Sequence, residues 1–328
     1  MLDAGNLDRR RDQRERSRRM PTTPTSLPAR AILTAGALAL FASPLHSQTR
    51  PVDSASRARE CPSCAEWNAP HAPFRVFGNT YYVGTNGLSA VLITSPAGHI
   101  LIDGGLPESA PLIIANIRAA GFRVEDVKLI LNSHAHYDHA GGIAELQRAS
   151  GGEVAGRAWS ANVMERGATV SDDPQFGLAL PYPAVRSVRH IVEGQPLRVG
   201  TLSVTPHFTG GHTPGGTTWT WRSCESDTCA DIVYADSQTP VSADGFLFSK
   251  SSSYPTAVAD FEHGFTVLET LSCDILLTPH PSQSKLWERL SARENGDARA
   301  LFGATGCKDY AADGRRQLSQ RLARERAR

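Results

Sequence analysis

The 328-residue sequence has no apolar run long enough to cross a bilayer, no surplus of charge of one sign and no low-complexity tract. A membrane-spanning helix needs about 20 consecutive apolar residues. The longest candidate, Ala31 to Leu45, is shorter and is interrupted by Thr34, Gly36, Ser43 and Pro44. The formal net charge is +1, and taking the eight basic and four acidic residues of positions 1–47 from the totals of 34 and 33 leaves it near −3. That balance excludes the basic footprint of a nucleic-acid or anionic-membrane binder. With 40% hydrophobic and 20% charged residues the chain is neither disordered nor fibrous. No compositional shift marks a linker, so one domain over residues 61–328 is expected.

What is present at the N-terminus is an export pattern. Arg9, Arg10, Arg11, Arg14, Arg16, Arg18 and Arg19 precede the short apolar run, and small or polar residues follow it. This reads as a secretory signal peptide with an N-terminal extension, residues 1–47, cleaved near Ser47 or Gln48. The pair Arg18-Arg19 is not followed directly by the apolar run, which favours ordinary secretion over twin-arginine export. The mature chain is expected in the periplasm or outside the cell, as a monomer without membrane attachment.

Six cysteines in an exported chain point to disulfides rather than metal ligands. They fall as Cys61 and Cys64, Cys224 and Cys229, and Cys273 and Cys307. Six allow fifteen connectivities; pairing within each set is favoured. Closing the loop from Cys273 to Cys307 is worth roughly 4 kcal/mol in the chain-entropy model. Cys61-Pro62-Ser63-Cys64 has the thioredoxin-like spacing but no βαβ pattern before it, so a structural bridge is expected there.

Along the chain, Tyr81 to Gly84, Ser89 to Thr94 and His99 to Asp103 read as short strands of a meander, followed by a helix from Leu106 to Ala120 with Gly121 at its end. Val127 to Asn132 is an apolar strand, and helical spacing resumes after Gly142. Further strands are expected over Leu197 to His207, Thr217 to Trp221, Ile232 to Ala235 and Ile275 to Thr278, with a helix from Thr256 to Leu271. Two runs of strands, each with helices between and after them, predict an α/β fold of four layers in which two sheets pack face to face under outer helices.

The apolar strand ends in Ser133-His134-Ala135-His136-Tyr137-Asp138-His139. Three imidazoles and a carboxylate in six positions are a metal-binding density. Two residues apart in extended chain, His134 and His136 point to one side and can share an ion, while Asp138 and His139 reach a second from the next turn. Imidazole and carboxylate without thiolate suit zinc, with iron or manganese also open. His212, in Gly210-Gly211-His212-Thr213-Pro214-Gly215-Gly216, and His280, in Thr278-Pro279-His280-Pro281, each follow a strand and precede turn residues, where the missing ligands belong. Asp103 closes its strand before Gly104-Gly105 and is a candidate acceptor for a ligand imidazole N–H. Asp172-Asp173-Pro174 reads as a loop that can border the cleft, and Tyr137 as lining its mouth or packing beneath it.

His134-Ala135-His136-Tyr137-Asp138-His139, then Gly211-His212-Thr213-Pro214-Gly215, then a late His280 resemble the metallo-β-lactamase superfamily. With His139, Tyr234-Ala235-Asp236-Ser237, the Leu276-Leu277-Thr278-Pro279-His280-Pro281 ending and a cysteine pair flanking that last strand, the chain resembles subclass B3. The resemblance covers about residues 69–324. It implies an αββα sandwich and two zinc ions, the first on His134, His136 and His212 and the second on Asp138, His139 and His280. It also implies an enzyme, a β-lactamase that opens β-lactam antibiotics including carbapenems and so confers resistance. Two zincs sharing a solvent ligand provide a hydroxide near neutral pH, because zinc lowers the pKa of bound water to about 7. Asp138 is implied to orient that nucleophile as well as to hold the second metal.

Strand alternation allows one of Asp236 and Ser237 to face the metals. The resemblance favours Ser237 as a substrate contact, with Thr239 standing where a second serine is usual. An aspartate bridging both metals at this place is the pattern of thioester and lactone hydrolases of the same fold, the alternative reading; a non-catalytic zinc-binding protein is a third. Ser282-Gln283-Ser284-Lys285 matches the S-x-x-K of serine β-lactamases, but S-D-N and K-T-G are absent, and the start of a helix explains these residues.

Overall fold

The computed structural model describes residues 61–327, so the expected signal segment, residues 1–47, lies outside the described residues. A seven-stranded sheet runs in the order β1 (Phe74–Phe77), β2 (Thr80–Tyr82), β3 (Val91–Ile93), β4 (His99–Ile102), β5 (Val127–Leu131), β6 (Glu153–Gly156) and β7 (Val188–His190). Pairing is antiparallel up to β4 and parallel from β4 to β7. The second sheet, in spatial order, comprises β12 (Ile275–Leu277), β11 (Thr228–Tyr234), β10 (Thr217–Glu225), β9 (Leu202–Phe208) and β8 (Leu197–Val199). Only its β11–β12 pair is parallel. The helices are α1 (Cys64–Trp67), α2 (Ala110–Ala119), α3 (Tyr137–Ala140), α4 (Ile143–Ser150), α5 (Ala158–Arg166), α6 (Ala257–Thr270), α7 (Leu286–Glu294) and α8 (Gly306–Arg326). None is long and apolar enough to cross a membrane.

Period-2 alternation builds the four layers. Ile100 and Ile102 of β4, Leu129 and Leu131 of β5, and Ile232 and Tyr234 of β11 meet Trp219 and Trp221 in the core between the sheets. Their chain neighbours Leu101 and Ile130 point the other way, against Ile113 and Ile117 of α2 and Leu146 of α4. On the far side Val233 and Leu276 face Phe261, Phe265 and Leu268 of α6 and Leu318 of α8. The αββα order is therefore α2, α4 and α5 on one sheet, then the second sheet, then α6 and α8.

Several expected elements need adjustment. Leu197 to His207 is not one strand: Gly200, at φ +56, turns β8 back onto β9. The helix expected from Leu106 begins as a 3-10 turn at Pro107–Ser109 before α2. β10 and β11 extend beyond Trp221 and Ile232 as a hairpin whose ends are joined at Cys224 and Cys229, directly paired across the strands. All three disulfides form within their sets, Cys61–Cys64, Cys224–Cys229 and Cys273–Cys307. Ser282 to Ser284 lie in a 3-10 turn ahead of α7.

α8 reaches back to pin the segment after β11. Glu325, 4% exposed, accepts hydrogen bonds from Phe248 N at 3.0 Å, Ser249 N at 2.8 Å and Arg321 Nε at 2.7 Å. Burial alone would raise this carboxyl, but those donors outweigh it and hold Glu325 below its usual range. A carboxyl depressed by folding contributes stability above its unfolded pKa and loses it as pH falls through the folded value. Glu325→Gln is therefore expected to lower unfolding free energy at neutral pH by about 1–2 kcal/mol, with the gap to wild type closing in acid. Denaturant titrations at pH 7 and pH 4 measure it, and a gap that widens in acid contradicts the assignment.

Candidate metal centre

The chemistry-bearing residues gather where strands of both sheets end. His134 and His136 follow β5, Asp138 and His139 lie on α3, His212 lies between β9 and β10, and His280 follows β12. The two sheets are stitched at this edge by Thr217 N donating to Ser133 O at 2.8 Å and by Trp219 Nε1 donating to Asn132 O at 3.1 Å. Gly211, at φ +121, makes the turn that presents His212, and a Cβ there would meet the Phe261 ring at 2.4 Å. Only glycine satisfies both conditions.

Two groups result. Ligand atoms of His134, His136 and His212 lie within 4.8 Å of one another, and so do those of Asp138, His139 and His280. The groups abut, with the His134 and His139 ring centroids 4.4 Å apart. All six residues that the family resemblance implied as ligands are brought together.

The outer ring nitrogens show what the inner ones are for. His212 Nδ1 donates to Thr239 O at 2.7 Å and His280 Nδ1 to Gly87 O at 3.2 Å. A carbonyl only accepts, so both rings carry their proton on Nδ1 and turn a lone pair on Nε2 inward. His134 Nδ1 lies 2.8 Å from Asp236 Oδ1, and His136 Nε2 lies 3.1 and 3.0 Å from the two oxygens of Asp173. His134 Nε2 is buried and has no hydrogen-bond partner, as does His139 Nδ1. Buried polar atoms are almost always satisfied, and a lone pair among other imidazoles lacks only a cation.

Electrostatics agree for His134, His212 and Asp138, whereas at His136 the adjoining Asp173 carboxylate outweighs burial and raises the ring's pKa. Burial, reinforced by His139, His212 and His136, holds His134 well below its usual pKa; burial and His136 bring His212 down to about 3. Neutral imidazole is the metal-binding form. Burial would raise Asp138, but His139 and His280, whose Nε2 atoms lie 3.2 and 3.4 Å from its Oδ2, outweigh that and keep it well below the carboxylate range. Burial, with Asp103 nearby, pushes Asp236 well above its usual range. Five imidazoles and one anionic carboxylate fit divalent metal ions at two adjoining positions.

Asp103 accepts no ligand imidazole. It sits one layer down, fully buried at φ +63, and receives Ser133 N at 2.7 Å, Ser133 Oγ at 2.6 Å, Tyr234 OH at 2.8 Å and Asn132 Nδ2 at 3.0 Å. The expected choice between Asp236 and Ser237 does not arise from strand alternation, because β11 ends at Tyr234. Asp236 lies behind His134 and belongs to neither ligand group. Ser237 is buried, and among the described residues its hydroxyl has no hydrogen-bond partner; Thr239 is half-buried with Oγ1 3.4 Å from His212 Nδ1. Tyr137 packs, with its hydroxyl donating to Cys61 Sγ at 3.3 Å.

Three contributors escaped the spacing argument. Trp67 packs on His280 with ring centroids 5.1 Å apart, Gly87 orients that same ring, and Gln175 places Nε2 3.3 Å from His212 Nε2. None carries a local sequence signal. Asp173 stood in a recognisable Asp-Pro turn, but nothing in the sequence connects it to His136.

The metallo-beta-lactamase superfamily model matches residues 83–302, and the chain belongs to that superfamily. Among solved structures it is similar to subclass B3 metallo-beta-lactamases. The Rm3 metallo-beta-lactamase is 54% identical, with a TM-score of 0.80 over 81% of this chain and 99% of that one. MEM-A1, a subclass B3 enzyme from a soil metagenome library, is 47% identical, with a TM-score of 0.78 over 80% and 99%. SMB-1 is 44% identical, with a TM-score of 0.76 over 79% and 99%. A curated hydroxyacylglutathione hydrolase of Rhodospirillum rubrum is 26% identical over 129 residues, 39% of this chain and 41% of that protein, so the match spans about two fifths of that relative.

Proposed function

We propose that the protein is an exported two-zinc β-lactamase that opens the amide bond of β-lactam antibiotics, carbapenems included, and so confers resistance. The observation that carries this reading is the pair of abutting ligand groups. His134, His136 and His212 would hold one zinc, and Asp138, His139 and His280 the other. When bound, the two ions supply Lewis acidity and a water acidic enough to attack at neutral pH.

The chain supplies position. Asp138 uses Oδ2 toward both imidazoles of its group, and among the described residues no donor engages Oδ1, which can accept a hydrogen bond from water and orient it. Water adds across the lactam C–N bond: oxygen joins the carbonyl carbon, the C–N bond breaks and the nitrogen leaves as an amine after taking a proton. Ser237 and Thr239 offer hydroxyls for the substrate carboxylate. The three disulfides support an oxidising compartment such as the periplasm.

The alternative, a thioester or lactone hydrolase, requires Asp236 between the ions. Its contact with the outer nitrogen of His134 puts it on the wrong side of that ring. Nitrocefin, imipenem, a glutathione thioester and a lactone, each assayed on zinc-loaded protein before and after chelation, test the proposal. Lactam turnover is expected to vanish with chelator and return with zinc. Turnover that survives chelation, or that is confined to the thioester or lactone, overturns it.

A further inference from the structure

We infer that Asp173 is a positioning residue that ties loop 170–179 to the metal centre through His136; this rests on the ligand assignment proposed above. The loop contains no helix or strand and is held by a few specific contacts. Asp173 N donates to Val170 O at 2.9 Å, Phe176 N to Asp173 O at 3.0 Å, and Ala243 N to Pro174 O at 2.8 Å. Trp159 Nε1 donates to Asp172 Oδ2 at 3.0 Å. Within this loop the Asp173 side chain is buried and turns to the metal centre, with both oxygens on His136 Nε2 and Oδ1 also receiving Gln175 N at 2.7 Å.

The consequences run in both directions. With its proton held on Nε2 by a carboxylate, His136 is left with a lone pair on Nδ1, and its ring cannot turn over without abandoning a buried anion. A cation on Nδ1 makes the Nε2 proton a stronger donor, which tightens the grip on Asp173 and on the loop. That loop carries Gln175 beside His212 and the exposed side chains Phe176 and Leu178, at 52% and 57% exposure. Metal loading and loop order are therefore linked, and linkage is reciprocal.

A purely structural Asx turn, Asp173 Oδ1 to Gln175 N, would survive in Asp173→Asn and leave metal binding untouched. The test measures zinc affinity by chelator competition and hydrogen exchange of residues 170–179 with and without zinc. In wild type, zinc is expected to slow exchange across the loop. Asp173→Ala is expected to weaken zinc binding by about 10- to 100-fold, the usual cost of losing such a partner, and to let the loop exchange in loaded protein as it does without metal. Asp173→Asn, which keeps an acceptor but no charge, should fall between. Trp159→Phe removes the neighbouring anchor but leaves the Asp173–His136 contact in place, so its loop should exchange faster and its zinc affinity should fall by much less than in Asp173→Ala.

Wild-type uptake of zinc with Asp173→Ala unchanged overturns this inference alone, as does a Trp159→Phe loss equal to that of Asp173→Ala. Wild type that takes up no zinc overturns the ligand assignment as well. Should the alanine variant fail to fold, Asp173→Asn decides: unchanged zinc affinity and loop exchange overturn the inference.

Discussion

Asp138→Ala is expected to lower kcat/KM for β-lactams by about a thousandfold, equivalent to roughly 4 kcal/mol of transition-state stabilisation, and to leave protein that retains one zinc. Asp138 is the sole anion within its ligand group: His139 and His280 are the other members, and their Nε2 atoms lie 3.2 and 3.4 Å from its Oδ2. Without it, two imidazoles must hold a dication with no compensating charge, whereas His134, His136 and His212 are untouched. In the proposed mechanism the same side chain also orients water, so the loss should fall on kcat more than on KM. Metal content of dialysed protein and steady-state kinetics at several zinc concentrations read the two effects separately. Asp138→Asn preserves volume but not charge and should resemble the alanine variant. A variant that keeps two zincs and works within tenfold of wild type removes Asp138 from the mechanism.

How much of this was legible in the sequence depends on distance along the chain. His134, His136, Asp138 and His139 crowd into one strand end and announce a metal by density. His212 and His280 were recoverable because each follows an apolar strand and precedes glycine or proline. Their orienting partners were not, since Thr239, Gly87, Asp236 and Asp173 reach the histidines only through the fold. Asp173 is 37 residues from His136 in a segment with no periodicity. The layers were readable from two runs of strands with helices between and after them; which face of β4 and β5 meets which layer was not, because both faces are buried and such strands read as apolar runs. α8 was missed because its buried stripe, which includes Tyr310, Ala311, Gly314 and Leu318, is set among arginines and reads as a solvated tail. Gly200 was passed over because one glycine between two apolar runs looks like an interruption of a strand rather than its reversal.

Asp103→Ala should destabilise metal-free protein by about 4 kcal/mol, a large share of the roughly 5–15 kcal/mol that holds a domain folded. Four donors converge on this carboxylate. The hydroxyls of Ser133 and Tyr234 can rotate toward other acceptors, but Ser133 N and Asn132 Nδ2 cannot, and each buried donor left bare costs about 1–3 kcal/mol. Alanine also tolerates φ +63 less well than aspartate or asparagine. Asp103→Asn keeps Oδ1 for the two N–H donors and keeps the left-handed conformation, while its amide meets two hydroxyls able to accept, so its cost should be about 1–2 kcal/mol. The expected order is wild type, then Asp103→Asn, then Asp103→Ala, by urea unfolding with chelator present so that metal binding cannot contribute. Because Ser133 is directly followed by His134, the alanine variant should also bind zinc more weakly, although Asp103 touches no ligand ring. An alanine variant within about 1 kcal/mol of wild type would mean that β5 holds its end without this anchor, and the register of His134 and His136 would then have to come from the Thr217–Ser133 and Trp219–Asn132 contacts alone.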